Sequence, residues 1–202
     1  MEYKSWYPQD FIQAAQQQLT PATVTGLLQE PQCGTRFVYG PLMLPTVLKY
    51  YLDLDQNTQI HRRMIPAKLL GYKLFQLSHT TIPVILPSTD PTSMVNGMLI
   101  CALDNDQRNS IFRFEAGLLS LIDVQVQISQ TDGPLDDLVI RNVRTIDTAA
   151  FAWPGSSTTE GLVPVWGSVW SMDEFLRGSE YGYIVESQRR QGLEAMSLGG
   201  GS

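Results

Sequence analysis

The first clear pattern of apolar and polar positions is helical and lies near the amino terminus. Apolar residues recur at near-helical spacing between Pro8 and Leu19, so this stretch is predicted to be a short amphipathic helix. Asp10 is placed to cap the helix, and Thr20-Pro21 is predicted to end it. Residues 26–34 are rich in turn formers and are predicted to form turns.

The next pattern changes from strand to helix within a few residues. Residues 36–39 are β-rich and end at Gly40-Pro41. Leu42–Tyr51 then carries its apolar residues on one face, and Pro45 is tolerated in the first turn of a helix. The sequence therefore predicts a strand, a Gly-Pro turn and a helix in direct succession.

The central region has mainly the pattern of β-strands. Val124, Val126 and Ile128 alternate with glutamines, as is typical of a strand with one buried face. Asn105–Leu119 is predicted to be helical, and a hairpin is predicted around Asp132-Gly133-Pro134. About six strands are predicted in all. Those that follow the first cover Ala67–Leu77, Ile82–Leu86, Met94–Leu103, Ile122–Ile128 and Arg141–Trp153.

The carboxy-terminal region is predicted to be helical. Ser171 and Glu174 have the spacing of a capping box, so a helix is predicted to begin at Met172. Gly178 is predicted to interrupt it before Tyr181–Arg190. The final Gly-Gly-Gly-Ser resembles a flexible linker.

This order of elements favours one fold class. Regular alternation of strand and helix is absent, which argues against a doubly wound parallel sheet. The sequence therefore predicts an α+β fold with a curled or barrel-like mixed sheet. A length of 202 residues fits one domain with extensions.

Composition narrows the class of partner. Hydrophobic residues make up 43% and charged residues 17%, which is enough for a core and too little charge for a disordered chain. The formal net charge of -6 argues against nucleic acid or an anionic membrane surface as partner. The apolar run at Ile82–Leu86 is far shorter than the roughly 20 residues that span a bilayer. A small-molecule partner is favoured.

The amino terminus has no pattern of a secretory signal, and Cys33 and Cys101 are too few for a disulfide scaffold. A cytoplasmic protein is therefore expected. His61 and His79 lie in polar stretches without neighbouring ligand motifs, so no metal site is predicted. Phosphate-binding glycine loops are also absent, and no cofactor is predicted.

The segment from Phe37 to Leu48 is the most informative part of the chain. A strand that ends in glycine and leads directly into a helix points backbone N–H groups at one spot, which suits a carboxylate or a phosphate. Alternatively, Gly40 and Pro41 only turn the chain.

This segment resembles the opening motif of the gamma-glutamylcyclotransferase-like superfamily, including its plant avirulence-induced-gene-like branch. In that family the first strand runs into Tyr-Gly-(Ser/Thr)-Leu and a helix, as Tyr39-Gly40-Pro41-Leu42 does here with one change. The resemblance extends from about Arg36 to Trp153. It is also carried by Ala67–Tyr72, Ile82-Pro83-Val84, Val95-Asn96-Gly97, Phe114-Glu115 and Asp123–Ile128.

The resemblance implies a compact mixed barrel flanked by helices, with the Tyr39–Leu42 loop facing Glu115. It also implies a reaction, the release of 5-oxoproline from a gamma-glutamyl amine or peptide. Glu115 is then the catalytic general acid and base, and Tyr39, Gly40, Pro41 and Leu42 bind the substrate. The apolar residues around Glu115 would raise its pKa by desolvation if they line the cavity.

Two departures from the family pattern leave the function open. Pro41 replaces the Ser or Thr of the loop, and Leu119 stands where the family has a Tyr four positions beyond the Glu. A drier pocket would suit a bulky hydrophobic substrate, an altered cyclisation in specialised-metabolite biosynthesis, or an active site that has lost its activity. The enzyme interpretation includes glutathione adducts as substrates, and the alternative is a noncatalytic binding or interaction domain.

The resemblance also suggests boundaries. Residues 1–35 are predicted to be a helical extension, 36–153 the gamma-glutamylcyclotransferase-like domain, and 154–202 an extension with a flexible tail. Either a monomer or a homodimer is compatible with the sequence. The aromatic residues of the last extension are predicted to pack on the barrel, to cap the cavity or to form a subunit interface. They are Trp166, Trp170, Phe175, Tyr181 and Tyr183.

Overall fold

A computed structural model describes residues 4–17, 19–132, 140–154, 161–165 and 170–199. Its centre is a closed barrel of five strands in the order β1-β5-β2-β6-β7. β1 and β7 are parallel, with Phe37 opposite Ala150, whereas the other neighbouring pairs are antiparallel. The barrel strands are β1 (Gly34–Val38), β2 (Met64–Leu70), β5 (Met94–Leu103), β6 (Ser120–Asp132) and β7 (Ile140–Ala152). The predicted α+β fold with a small mixed barrel is confirmed.

A second sheet of three strands lies beside the barrel, in the order β4-β3-β8. The sequence predicted one strand over Ala67–Leu77, and this was wrong because Gly71 adopts a φ of 73° and separates two strands of different sheets. Glycine adopts this left-handed conformation without steric cost. The strands are β3 (Tyr72–Leu77), β4 (Pro83–Pro87) and β8 (Leu162–Pro164), of which β8 was not predicted.

Two short helices, α1 (Gln9–Gln16) and α2 (Pro21–Leu28), precede the barrel. Asp10 does not cap α1 as predicted, because the N-cap position is occupied by Pro8 and Asp10 lies in the first turn. The Thr20-Pro21 pair does not end the first helix as predicted, because α1 already ends at Gln16 and the pair instead begins α2. The Thr20 side chain accepts a hydrogen bond from the Thr23 N–H, and Pro21 occupies the first turn of α2. The helix α2 was therefore missed because a start signal was interpreted as a stop.

Two helices flank the barrel where β1 ends. A 3₁₀ turn at Pro41–Met43 leads into α3 (Pro45–Tyr51), and α4 (Asn105–Glu115) connects β5 to β6. The helix α4 begins at a capping box formed by Asp104 and Gln107. The succession of strand, turn and helix that was predicted between residue 36 and Tyr51 is thus present as β1, the 3₁₀ turn and α3.

The chain ends in α5 (Met172–Arg177) and α6 (Ser179–Gly199), separated at Gly178 as predicted. Ser171 is the N-cap residue of α5, but its side chain makes no capping hydrogen bond, so the predicted capping box is not formed. The predicted hairpin joins β6 and β7, and its turn lies outside the described residues. No helix in the described part of the chain is both long and apolar enough to cross a bilayer.

The amino-terminal end of the chain contacts α5, and the residue Trp170 before α5 contacts the loop that precedes β4. The Tyr7 hydroxyl donates to Asp173 Oδ1 at 2.7 Å, and the Lys4 ammonium pairs with the same carboxylate. Trp170 is buried and donates from its indole Nε1 to the Thr81 carbonyl at 3.0 Å. Phe175 is also buried, whereas Trp166 lies outside the described residues.

Candidate active site

The loop at the end of β1 requires glycine at position 40. Gly40 has a φ of 118°, a conformation that residues with a side chain rarely adopt. A Cβ atom at this position would lie 2.5 Å from the Pro83 Cγ atom. Both the backbone conformation and the packing against β4 therefore exclude larger residues.

The loop offers few free N–H groups. The Met43 N–H donates to the Gly40 carbonyl at 2.9 Å, and the Leu44 N–H donates to the Pro41 carbonyl at 3.0 Å. Pro41 has no N–H. Among the described residues, nothing accepts a hydrogen bond from the N–H of Gly40 or of Leu42.

Tyr39 is buried, and backbone groups hold its hydroxyl. It donates to the Phe151 carbonyl at 2.5 Å and accepts a hydrogen bond from the Ile85 N–H. Burial is the main reason that the pKa of Tyr39 lies well above its usual value. The hydroxyl therefore fastens the end of β1 to β7 and β4, a role that the sequence did not reveal.

Glu115 is the last residue of α4, and its carbonyl accepts the N–H of Leu119 at 3.0 Å as the chain turns into β6. Burial raises the pKa of its carboxyl from 4.5 to about 7. The carboxyl forms neither a hydrogen bond nor an ion pair within the described part of the chain. It is thus a carboxyl that changes its protonation state near neutral pH.

Glu115 lies within electrostatic range of two tyrosines, because its negative charge contributes to the raised pKa values of Tyr39 and Tyr51. The adjoining Phe114 ring packs against the Tyr51 ring at a tilt of 40°, with ring centroids 4.0 Å apart. On the other side, the Phe112 and Phe151 ring centroids are 6.0 Å apart. Glu115 therefore lies near both Tyr39 and Tyr51, and its neighbours in α4 pack on α3 and on β7.

Three residues of this region, Tyr51, Ile85 and Phe151, were not singled out as site residues from the sequence. Tyr51 lies in α3, and its hydroxyl is 3.4 Å from Glu180 Oε1 of α6. Phe151 and Ile85 contribute backbone groups, which leave no side-chain signal. Leu119, which replaces the tyrosine of the family pattern, is buried.

A cavity of about 880 Å³ lies elsewhere on the barrel. Neither Glu115 nor any residue of the 39–42 loop lines it. Its walls come from β1, β2, β6 and β7 and from Tyr72 at the start of β3, and they include Arg36, Asp123 and Asp147. This cavity and the residues with the family motif are therefore separate features.

Within the described ranges, no cluster of three or more His, Cys, Asp or Glu residues is arranged to hold a metal ion. Cys101 is buried, and burial raises the pKa of its thiol to about 12. A thiol in that environment stays protonated and is a poor nucleophile. Glu115 is the titratable group that the geometry favours for chemistry.

Comparison with known protein families gives one match that covers most of the chain. Residues 36–172 match the family described as "Gamma-glutamyl cyclotransferase, AIG2-like". No curated protein matches the chain at a significant level.

Solved structures similar to this chain include two from Arabidopsis thaliana and one from Mus musculus. One solution structure of an Arabidopsis thaliana protein has a TM-score of 0.50 at 23% identity, over 85% of this chain and 89% of that chain. A second Arabidopsis thaliana solution structure has a TM-score of 0.49 at 20% identity, over 77% and 88%. The crystal structure of an AIG2-like protein from Mus musculus has a TM-score of 0.47 at 18% identity, over 69% and 89%.

Proposed function

Because the chain belongs to the gamma-glutamyl cyclotransferase, AIG2-like family, we propose that it cyclises a gamma-glutamyl amide and releases 5-oxoproline and an amine. Glu115 is the proposed general base and acid. The observation that carries the proposal is the state of this side chain, a partly buried and unpaired carboxyl with a pKa of about 7 beside Tyr39. A general acid–base works best when its pKa is close to the working pH.

The proposed reaction needs no nucleophile from the protein. The α-amine of the substrate attacks its own γ-carbonyl carbon, and Glu115 accepts the proton that the amine loses. A new C–N bond closes the five-membered ring. The bond to the leaving nitrogen then breaks while Glu115 returns the proton to that nitrogen. Because both reacting groups belong to one molecule, the enzyme supplies mainly orientation and proton transfer.

The loop at the end of β1 is proposed to hold the α-carboxylate of the substrate. The N–H groups of Gly40 and Leu42 are the donors that this loop retains. Hydrogen bonds to a charged acceptor are stronger than those to a neutral one. Tyr39 contributes by fixing the loop, since its hydroxyl is held by Phe151 and Ile85.

The test of this function is a direct search for the product. The purified protein is incubated with a panel of gamma-glutamyl amino acids, gamma-glutamyl amines and glutathione conjugates, and 5-oxoproline is measured by mass spectrometry. We expect product from at least one substrate and none from the Glu115→Gln variant. If no member of the panel gives 5-oxoproline above the variant's background, the proposed activity is wrong.

A noncatalytic binding domain is the second candidate, and two observations favour it. Pro41 removes an N–H and a hydroxyl from the loop, and a buried leucine stands at position 119. A retained scaffold with a changed site would bind gamma-glutamyl compounds without cyclising them. Calorimetric binding of a panel member without release of 5-oxoproline would identify this case.

A further inference from the structure

An exposed group of apolar side chains surrounds the end of α4 and the start of β6. Exposed apolar side chains scattered singly are normal on a protein surface, whereas several of them grouped around one functional group are typical of a ligand-binding surface. The group, called here the apolar rim, consists of Phe112 (47% exposed), Phe114 (37%), Leu118 (39%) and Leu121 (38%).

Two members of the apolar rim, Phe112 and Leu121, lie beside the same residue of β7, Phe151. Leu121 is the cross-strand partner of Phe151, so the two side chains lie on the same face of the sheet. The Phe112 ring contacts the same Phe151 ring, with centroids 6.0 Å apart. Phe112 and Leu121 therefore meet at a common buried neighbour.

The apolar rim also adjoins the carboxyl of Glu115. Phe112 precedes Glu115 by three positions in α4, a spacing that places both on one helix face. Phe114 is its immediate neighbour, and the Leu118 N–H donates to the Glu115 carbonyl at 3.2 Å. Apolar residues thus flank the proposed proton-transfer group along the chain in both directions.

The proposed chemistry determines which part of a substrate lies over this surface. The group that takes the proton from the α-amine must return it to the leaving nitrogen, so the leaving nitrogen lies beside Glu115. Any substituent on that nitrogen extends beyond Glu115 and meets its neighbours. The α-carboxylate, by contrast, lies at the Gly40 loop in the proposed arrangement.

We propose that the amine released by this protein carries a large apolar or aromatic group, which packs on the apolar rim of Phe112, Phe114, Leu118 and Leu121. This inference rests on the proposed cyclotransferase activity and names its substrate class. Burial of a side chain of phenylalanine size against such a surface favours the bulky substrate over its small analogue, because apolar area is removed from water.

The test uses two substrates that differ by one benzyl group, gamma-glutamylphenylalanine and gamma-glutamylglycine. For the wild-type protein we expect kcat/KM to be at least about tenfold higher for the phenylalanine compound. Phe112→Ala should reduce this ratio about tenfold, mainly through KM, because the packing is made in the bound ground state as well as in the transition state.

Two further variants test whether the effect is specific to the apolar rim. Val143 is 64% exposed on β7 and lies outside the apolar rim, so Val143→Ala should leave the ratio at its wild-type value. Leu118→Ala provides a second change within the rim, and it should also reduce the ratio if Phe112→Ala fails to fold. Calorimetry with the Glu115→Gln variant measures the same preference as binding, without turnover.

The outcomes separate the two proposals. Release of 5-oxoproline from both substrates with equal kcat/KM overturns the apolar-amine inference and leaves the cyclotransferase function in place. A wild-type preference that neither rim variant changes also overturns it. Absence of turnover across the whole panel overturns the cyclotransferase function itself, and with it the inference about its substrate.

Discussion

Glu115 combines two properties that a proton-transfer group needs. Burial raises the pKa of its carboxyl to about 7, so both protonation states are populated near neutral pH. Its carboxyl also has no partner within the described residues that would hold it in one state. A carboxyl with a purely structural role normally has hydrogen-bond or ion-pair partners when it is buried.

The Glu115→Gln substitution should reduce turnover about a hundredfold to ten-thousandfold. Glutamine is nearly isosteric and still forms hydrogen bonds, but it does not transfer a proton at neutral pH. Steady-state release of 5-oxoproline and a thermal melt are measured on the same preparation. If Glu115 is a structural partner instead, the variant melts at a lower temperature and keeps its turnover.

The same carboxyl makes stability depend on pH. Its pKa is about 7 in the folded protein against an ordinary value of 4.5, so the folded state holds the proton more tightly between these two values. The free energy of unfolding therefore falls as the pH rises from about 4.5 to 7, by up to about 3 kcal/mol from this group. Urea unfolding at pH 4 and pH 8 should show Glu115→Gln gaining stability over wild type only at pH 8. Equal differences at both values would contradict the raised pKa.

Pro41 is the residue at which the loop departs from the family pattern. Pro41→Ser restores a backbone N–H and a hydroxyl beside the two donors that the loop retains. We expect turnover of simple gamma-glutamyl amino acids to increase several-fold, roughly the effect of one added hydrogen bond to a carboxylate. Pro45→Ser changes a proline at the start of α3, outside the 39–42 loop, and is the control for the general effect of replacing a proline by serine. Unchanged kinetics for Pro41→Ser would remove the loop from the substrate-binding model.

Elements with strong local patterns were predictable from the sequence. The strand Met94–Leu103 has the predicted bounds, and α5 ends at Gly178 as expected. Errors arose where one signal has two meanings. Thr20-Pro21 begins α2 as well as following α1, and Gly71 divides an apolar run between two sheets. Partition between sheets depends on long-range pairing, which periodicity within one segment does not encode.

The Tyr39 hydroxyl joins the end of β1 to β4 and β7. Tyr39→Phe removes the bonds to the Phe151 carbonyl and the Ile85 N–H and should lower the free energy of unfolding by about 1–3 kcal/mol. Tyr183→Phe, on a side chain that is 64% exposed, is the matched control and should change it by less than about 0.5 kcal/mol. Chemical denaturation of both variants checks the difference. Similar values for the two would mean that the buried hydroxyl contributes nothing specific.

The candidate site is assembled from parts of the chain that are distant in sequence. Tyr39 follows β1, Glu115 ends α4, and Phe151 lies near the end of β7. The family resemblance predicted that the loop and Glu115 form one site, whereas nothing in the sequence indicated the backbone partners of Tyr39. Carbonyl and N–H groups are common to all residues, so no residue type marks them in advance.

The parallel contact between β1 and β7 has a consequence for how fast the protein folds. Phe37 pairs with Ala150, which is far from it in the sequence. Forming this pair therefore closes a long loop and has a high entropic cost. The barrel should therefore close late, after the local β6–β7 hairpin has formed. Stopped-flow measurements on Tyr39→Phe should then show faster unfolding and a nearly unchanged refolding rate, because the hydroxyl fastens the same closing edge. Slower refolding with unchanged unfolding would place closure early, and the edge would be part of the folding nucleus.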